Sequence, residues 1–405
     1  MNLHETHGTM RRLSLVAGLA LLTTPLFIAA ACAESAPDAD VTPDAEPPHT
    51  IGDSGEGSDG SPDDAGCEAG DPLCSETELP CSDTDFCPVK GAVEARYALA
   101  AIWGSGKNDV WAVGAAGTAI HWDGTTWKPH PIPTGHTLFG LWGSGSGELW
   151  AASTYNAAFR GTIHPADGSV EWTKLPNLPY LGSNDLPPAL ATVWGRAPDD
   201  VWIGGGEKIS DYPPTRVWRT RPDGDGGVTW QKLAPCTGSS GDCPAVRAMW
   251  GRADDDIWLV GDKGRTYHAG LTDGGVAFTA IESNTTRALR AVWGSNADNV
   301  WAAGDYGVVR KTSASATTWT SVDVPTKVDL HGLWGSSASD VWAVGAYGTI
   351  LHFDGNEWTE ASAAFPAGPK PHLYAIWGSG PDDVWIVGEG IVLHRSGPAK
   401  SGGQK

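Results

Sequence analysis

From Leu99 to Arg395 the apolar and polar positions recur in one order seven times. Each round opens on an apolar stretch of the form Leu-x-small-aliphatic-Trp-Gly, as in Leu373-Tyr374-Ala375-Ile376-Trp377-Gly378, and then meets a polar turn. A second stretch, Val-Trp-Ala-Val-Gly or a near variant, runs to a glycine-bounded turn such as Gly345-Ala346-Tyr347-Gly348. A third is typified by Thr349-Ile350-Leu351-His352-Phe353. After a further turn, often Asp-Gly, a fourth follows, opened by Trp127, Trp172, Trp230, Phe278, Trp319 or Trp358. Short runs rich in pleat-loving residues, tight turns between them and no helical period predict antiparallel strands throughout.

The frame of the repeat is a pair of tryptophans. Trp-Gly stands at Trp103, Trp142, Trp194, Trp250, Trp293, Trp334 and Trp377, and eight residues later come Trp111, Trp150, Trp202, Trp258, Trp301, Trp342 and Trp385. The intervals between first tryptophans, 39, 52, 56, 43, 41 and 43 residues, suit one four-stranded blade plus insertions. The fold predicted is an all-β, seven-bladed β-propeller over residues 86–396, with four antiparallel strands per blade. Radial sheets need bulky side chains to fill the wedge between neighbours, and this accounts for most of the 21 tryptophans.

The seventh round stops after its third strand, Ile391-Val392-Leu393-His394-Arg395. Phe86 lies 17 residues before Trp103, a separation like that of the fourth-strand aromatics in other rounds. Phe86-Cys87-Pro88-Val89 is therefore expected to supply the missing strand and remove an open sheet edge.

What precedes the repeats reads as an address. Residues 1–32 carry Arg11 and Arg12 before an apolar run from Leu13 to Ala31, which reads as a signal peptide. Its end, Ile28-Ala29-Ala30-Ala31-Cys32, is similar to a bacterial lipobox, with Cys32 as the lipidated residue. Cleavage after Ala31 or Ala33 without a lipid, or an uncleaved anchor, are the alternatives. Residues 33–66 hold ten acids and no base among Ala, Pro, Gly and Ser, the composition of a disordered acidic tether. Residues 67–90 form a cysteine-rich segment leading into the closing strand, and residues 397–405 form a flexible tail. Cys67, Cys74, Cys81 and Cys87, with Cys236 and Cys243, are six, an even number in an oxidising compartment, and are expected to form disulfides. Spacing alone leaves the pairing among the first four open.

The chain has 27 basic and 48 acidic side chains and a formal net charge of −21, which argues against a nucleic-acid partner. The sequence contains no phosphate loop, no H-E-x-x-H and no nucleophile elbow, and it points away from catalysis. His121, His268, His352 and His394, with His164 as a comparable case, fall late in third strands of different blades. They are too dispersed to share a metal. The acids that end the first-to-second strand turns, such as Asp109, Asp256 and Asp340, are expected to bond their own backbone rather than calcium. No metal and no cofactor is expected.

One position is free to be specialised. The second residue of the first strand reads Ala100, Phe139, Ala191, Arg247, Arg290, His331 and Tyr374 while its neighbours barely change. In a propeller these strands line the central channel, and the turns after the second strands share its mouth. Those turns carry Tyr155, Tyr212, Asp262, Lys263, Asp305, Tyr306, Tyr347 and Glu389. A polar pocket with an aromatic rim is the expectation there.

The motifs Trp-Gly-Ser…Asp-Val-Trp-Ala-Val-Gly and Asp-Gly-x-x-Trp (Asp123 to Trp127, Asp354 to Trp358) resemble the BNR/Asp-box-like (WD/YVTN-type) propeller repeats of exported bacterial lipoproteins. They depart from a true Asp box, which sets a serine before the aspartate and a threonine before the tryptophan. The resemblance implies a propeller and no single activity, because one fold hosts many functions. Address and repeat together suggest a monomeric lipoprotein of the outer membrane or cell surface, or a periplasmic or secreted protein. Its propeller is expected to bind a glycan or an envelope protein, with the lipid anchor holding it to the membrane. A carbohydrate-active enzyme, sialidase-like or a lyase, and an envelope assembly factor are the alternatives.

Overall fold

The computed structural model describes residues 71, 73–75, 77, 79–179, 188–206, 216–236, 243–273 and 275–397. The expected signal peptide, Cys32, the expected acidic tether, Cys67 and Tyr212 lie outside the described residues. Seven four-stranded antiparallel sheets form the propeller. The blade built from Leu330–Ser337, Asp340–Gly345, Ile350–Phe353 and Trp358–Glu360 is representative. In every blade the two frame tryptophans stand directly opposite each other on the first and second strands, as Trp334 does with Trp342. Apart from single 3-10 turns, there is no helix among the described residues.

The ring closes as the strand count requires. Cys87–Pro88 pairs with the last strand, Ile391–Ser396, in the register Cys87 to His394 and Pro88 to Leu393. Seven buried clusters fill the seven gaps between neighbouring blades, and one of them joins the last blade to the first through Trp385, Val387, Val110 and Leu99. Cys81 and Cys87 are disulfide-bonded, as are Cys236 and Cys243. Cys74 is disulfide-bonded as well.

The two tryptophans of a blade do different work. The second is wholly buried, with at most 1% of its surface exposed in any blade. Each such indole contributes about 4–6 kcal/mol of transfer free energy as an upper bound, from about 150–250 Å² at about 25 cal/mol per Å². The first tryptophan is half-buried and reaches sideways. Trp103 lies on Gly143, Trp142 on Gly195, Trp194 on Gly251, Trp250 on Gly294, Trp293 on Gly335, Trp334 on Gly378, and Trp377 closes the circle on Gly104. A Cβ at any of these glycines would stand 2.4–2.8 Å from the neighbour's indole. The Trp-Gly pair is thus an interblade contact: the tryptophan serves one neighbour and the glycine receives the other.

Each second tryptophan is also capped by a basic side chain from its register partner on the third strand. His121, His268, His352 and His394 stack on Trp111, Trp258, Trp342 and Trp385 with ring centroids 3.7–4.5 Å apart. In the other blades Arg160, Arg219 and Lys311 stand over Trp150, Trp202 and Trp301 at 5.9, 5.2 and 4.6 Å. His164 is therefore not the repeat equivalent of the other histidines; Arg160 holds that place, opposite Trp150. The turn acids need a correction too. Asp109 does not cap its own backbone but accepts from the hydroxyl of Ser105, the indole of Trp111 and the ring of His121 at 2.8 Å. Asp340 does the same for Ser336, Trp342 and His352. Asn299 stands at this position only where Lys311 is the cap, and the chemistry of the pair changes together.

These acids carry a testable pH dependence. Burial pushes the carboxyls of Asp109, Asp340 and Asp383 up, but the hydrogen bonds led by His121, His352 and His394 outweigh it and hold all three below the usual carboxylate range. A carboxyl depressed in the folded state stabilises above its unfolded pKa, about 3.9, and loses that contribution as the pH falls further. The urea midpoint is expected to hold from pH 7 to about 5 and to fall below about 4. The triple change D109N/D340N/D383N should flatten that fall, and an unaltered acid limb in the variant would contradict the assignment.

Candidate binding site at the channel mouth

All seven variable positions of the inner strands line one cavity of about 560 Å³. The reason is a β-bulge. The register between first and second strands slips at this residue in every blade: Leu99 pairs with Gly114 and Ala101 with Val113, leaving Ala100 unpaired, and the same slip isolates Phe139, Ala191, Arg247, Arg290, His331 and Tyr374. A bulged residue is re-aimed out of the ladder. Its side chain carries no duty in the sheet, so it can vary where its neighbours cannot.

The cavity has two halves. Blades one to three contribute mostly apolar side chains, Ala98, Ala100, Phe139, Ala189 and Ala191, with Thr137, Thr154 and Thr192 as their polar members. Blades four to seven contribute Arg247, Arg290, His331 and Tyr374. Three of these four are tied to an acid 15 residues later, on the turn of their own blade. Arg247 donates to both oxygens of Asp262 at 2.8 Å, Arg290 donates through Nε to Asp305, and the Tyr374 hydroxyl donates to Glu389 at 2.7 Å. The matching positions beside the remaining bulges are Ala115, Thr154, Gly206 and Ala346. An acid thus occurs only where the bulge offers a donor. This constant spacing is a property of the sequence, and it is the signal by which Arg247 can be joined to Asp262, and Arg290 to Asp305, from the residues alone.

Burial, reinforced by Arg290, pushes His331 below the usual imidazole range, so it is neutral at pH 7. Its Nδ1 lies 3.0 Å from the carbonyl of Leu373. A carbonyl only accepts, so Nδ1 carries the proton and Nε2 is left as an acceptor. Burial and then Glu389 push the Tyr374 phenol above its ordinary range, so it stays protonated.

Tyr155, Tyr306 and Tyr347, expected at the rim, stand on the turns after the second strands and are not among the residues that line the cavity. Tyr306 and Tyr347 sit at φ of 59° and 53°, a left-handed conformation that non-glycine residues seldom adopt. Both are exposed, by 59% and 41%, as are Tyr155 by 61% and Phe139 by 43%. Arg287 covers one face of Tyr306 at 4.0 Å, His372 packs on Tyr347 at 4.7 Å, and His136 on Tyr155 at 4.5 Å. Among the described residues no group of three or more His, Cys, Asp or Glu is placed to hold a metal ion.

No family model matches the chain, and no curated protein matches it. Solved structures do resemble it. YCF48 from Cyanidioschyzon merolae is 18% identical with a TM-score of 0.56, covering 77% of this chain and 99% of its own. A structure described as YCF48 bound to D1 peptide is 16% identical with a TM-score of 0.57, covering 80% and 99%. The extracellular domain of a putative one-component system, BT4673 from B. thetaiotaomicron, is 10% identical with a TM-score of 0.54, covering 78% of this chain and 40% of that one. At these identities the likeness establishes the propeller fold.

Proposed function

We propose that this propeller is a non-catalytic binding module of the bacterial cell envelope, exported and lipid-anchored through Cys32, with its ligand site at the channel mouth. The carrying observation is that the residue that changes character most along the inner strands is in every blade the bulged one, and that all seven bulged residues share one cavity. An envelope glycan or an envelope protein is the ligand class. The peptide held by YCF48 is in keeping with the protein option for a fold of this kind. A glycosidase that works through two free carboxylates is disfavoured, since Asp262 and Asp305 are each engaged by an arginine.

A bulky side chain at a bulge tests the location. Ala191→Trp should fill the apolar half of the mouth without touching the frame. Full-length protein carrying it is expected to lose the partners that wild type retains from solubilised envelope or on a glycan array. Retention of the same partners by the plugged variant would move the site elsewhere.

A further inference from the structure

We infer that the mouth receives the end of a neutral, hydroxyl-rich chain, a saccharide, whose neighbouring hydroxyls bridge Arg290 and Asp305. The inference rests on the reading of the mouth as the binding site and adds the chemical class of its occupant.

The argument starts from charge. The two arginines of the polar half are each paired, Arg247 with Asp262 and Arg290 with Asp305, while Glu389 is held by neutral donors, the Tyr374 phenol and the His372 amide, so one negative charge is left over. An anionic ligand would meet Asp305 as well as Arg290, and a cationic one the reverse. At that pair neither gains the undivided attraction that a lone arginine or lone carboxylate would supply, and the unpaired charge of Glu389 works further against an anion.

The pairs differ in what they leave open. Arg247 and Asp262 share two hydrogen bonds. Arg290 and Asp305 share one, through Nε and Oδ1. The guanidinium therefore keeps four N–H donors and the carboxylate keeps Oδ2, none with a partner among the described residues. Arg290 is 39% exposed at the cavity wall and Asp305 20%. A donor fork and an acceptor thus stand side by side, with Nε2 of His331 as a second acceptor on the next blade. Hydroxyls on adjacent carbons of a sugar ring each donate and accept, so one sugar edge can satisfy the carboxylate and the guanidinium together.

A peptide is the competing neutral ligand, and the backbone disfavours it. One way an extended peptide docks is by adding a strand to an open sheet edge. The edges facing this channel are the seven inner strands, and each is broken by a bulge at the mouth. The neighbouring turns and Phe139 of the cavity wall supply what a sugar uses instead. Tyr155, Tyr306 and Tyr347 stand exposed on the turns after the second strands, each with one face already occupied. The apolar half, with Phe139, accepts the C–H face of the ring.

The test uses purified full-length protein and a panel of neutral glucan, chitin and mannan oligomers, with uronate oligomers and a mixed peptide pool beside them. Calorimetry and saturation-transfer NMR read the binding. At least one neutral oligomer should bind with an affinity that changes little between about 0.05 and 0.5 M salt. Asp305→Asn and Arg290→Gln should each weaken it about tenfold or more. Thermal melts establish that both variants fold. Binding only to uronates with steep salt dependence, binding only to peptides, silence across the neutral oligomers, or indifference to both substitutions would each overturn the inference. Ala191→Trp separates the two levels. If it blocks binding while Asp305→Asn and Arg290→Gln do not, the mouth stands and the saccharide bridge falls. If it blocks nothing, the location itself is wrong.

Discussion

Gly335→Ala is expected to destabilise the ring by about 1–3 kcal/mol, although it adds a single methyl group. The new Cβ would stand 2.6 Å from the indole of Trp293 on the preceding blade and 2.6 Å from the carbonyl oxygen of Asp340. Neither can retreat freely. The carbonyl belongs to the second strand of the same sheet, and Trp293 is wedged in the gap between the two blades. A urea titration with unchanged slope and lowered midpoint would record the loss. Gly380→Ala is the control: its Cβ meets nothing within 4 Å, and its effect should stay within about 0.5 kcal/mol. The contact has a signature beyond its size. Trimming the wedge with Trp293→Phe should relieve Gly335→Ala, so that the double variant is more stable than the two single losses predict. Additive losses would mean that the strain lies in the backbone and not between the blades.

The same contact shows what kind of information a repeat sequence carries. The frame is legible because each blade meets its neighbours through the same few positions, and a contact made seven times is written seven times. Trp-Gly, the eight-residue step to Trp111 and its equivalents, and the missing last strand all follow from that redundancy. What is harder to read depends on register across turns of unequal length. The caps on the second tryptophans are chemically mixed, His121 in one blade, Arg160, Arg219 or Lys311 in others, so identity alone suggests scattered histidines and misplaces His164. The partners of the turn acids escape a sequence reading for a related reason. A short carboxylate in a turn commonly bonds its own backbone, but here burial beside an indole and an imidazole offers donors that outcompete it. At the mouth, Arg247, Arg290, His331 and Tyr374 are legible as a variable column, whereas the bulge that aims them is not, since a bulge is a relation between two strands. The link between Cys81 and Cys87 is likewise a matter of spatial proximity, because four closely spaced cysteines allow several pairings.

Phe86→Ala should cost more than any other single truncation in the amino-terminal segment, about 3–5 kcal/mol. Phe86 is wholly buried and meets Trp342 edge to face at 5.3 Å, in a cluster that also holds Ile376, Val384 and Leu393. It therefore joins the sixth blade to the seventh from outside both. The backbone around it is bound to the chain leaving the sixth blade: the Phe86 amide donates to the carbonyl of Ser362, its carbonyl accepts from Ala364, and Asp85 accepts from the Ser362 hydroxyl at 2.8 Å. Emptying the site removes the anchor of the strand Cys87–Pro88 that covers Ile391–Ser396. Hydrogen exchange should quicken first in Ile391–Ser396 and only later in the blades opposite, because an uncovered edge opens locally before the ring does. Replacing Cys81 and Cys87 by serine should cost less, about 2 kcal/mol, since the bond closes a loop of only six residues and leaves Phe86 seated. The reverse order, with the disulfide mattering more than the phenylalanine, would mean that the ring is held shut by its covalent staple and that the buried ring of Phe86 merely follows.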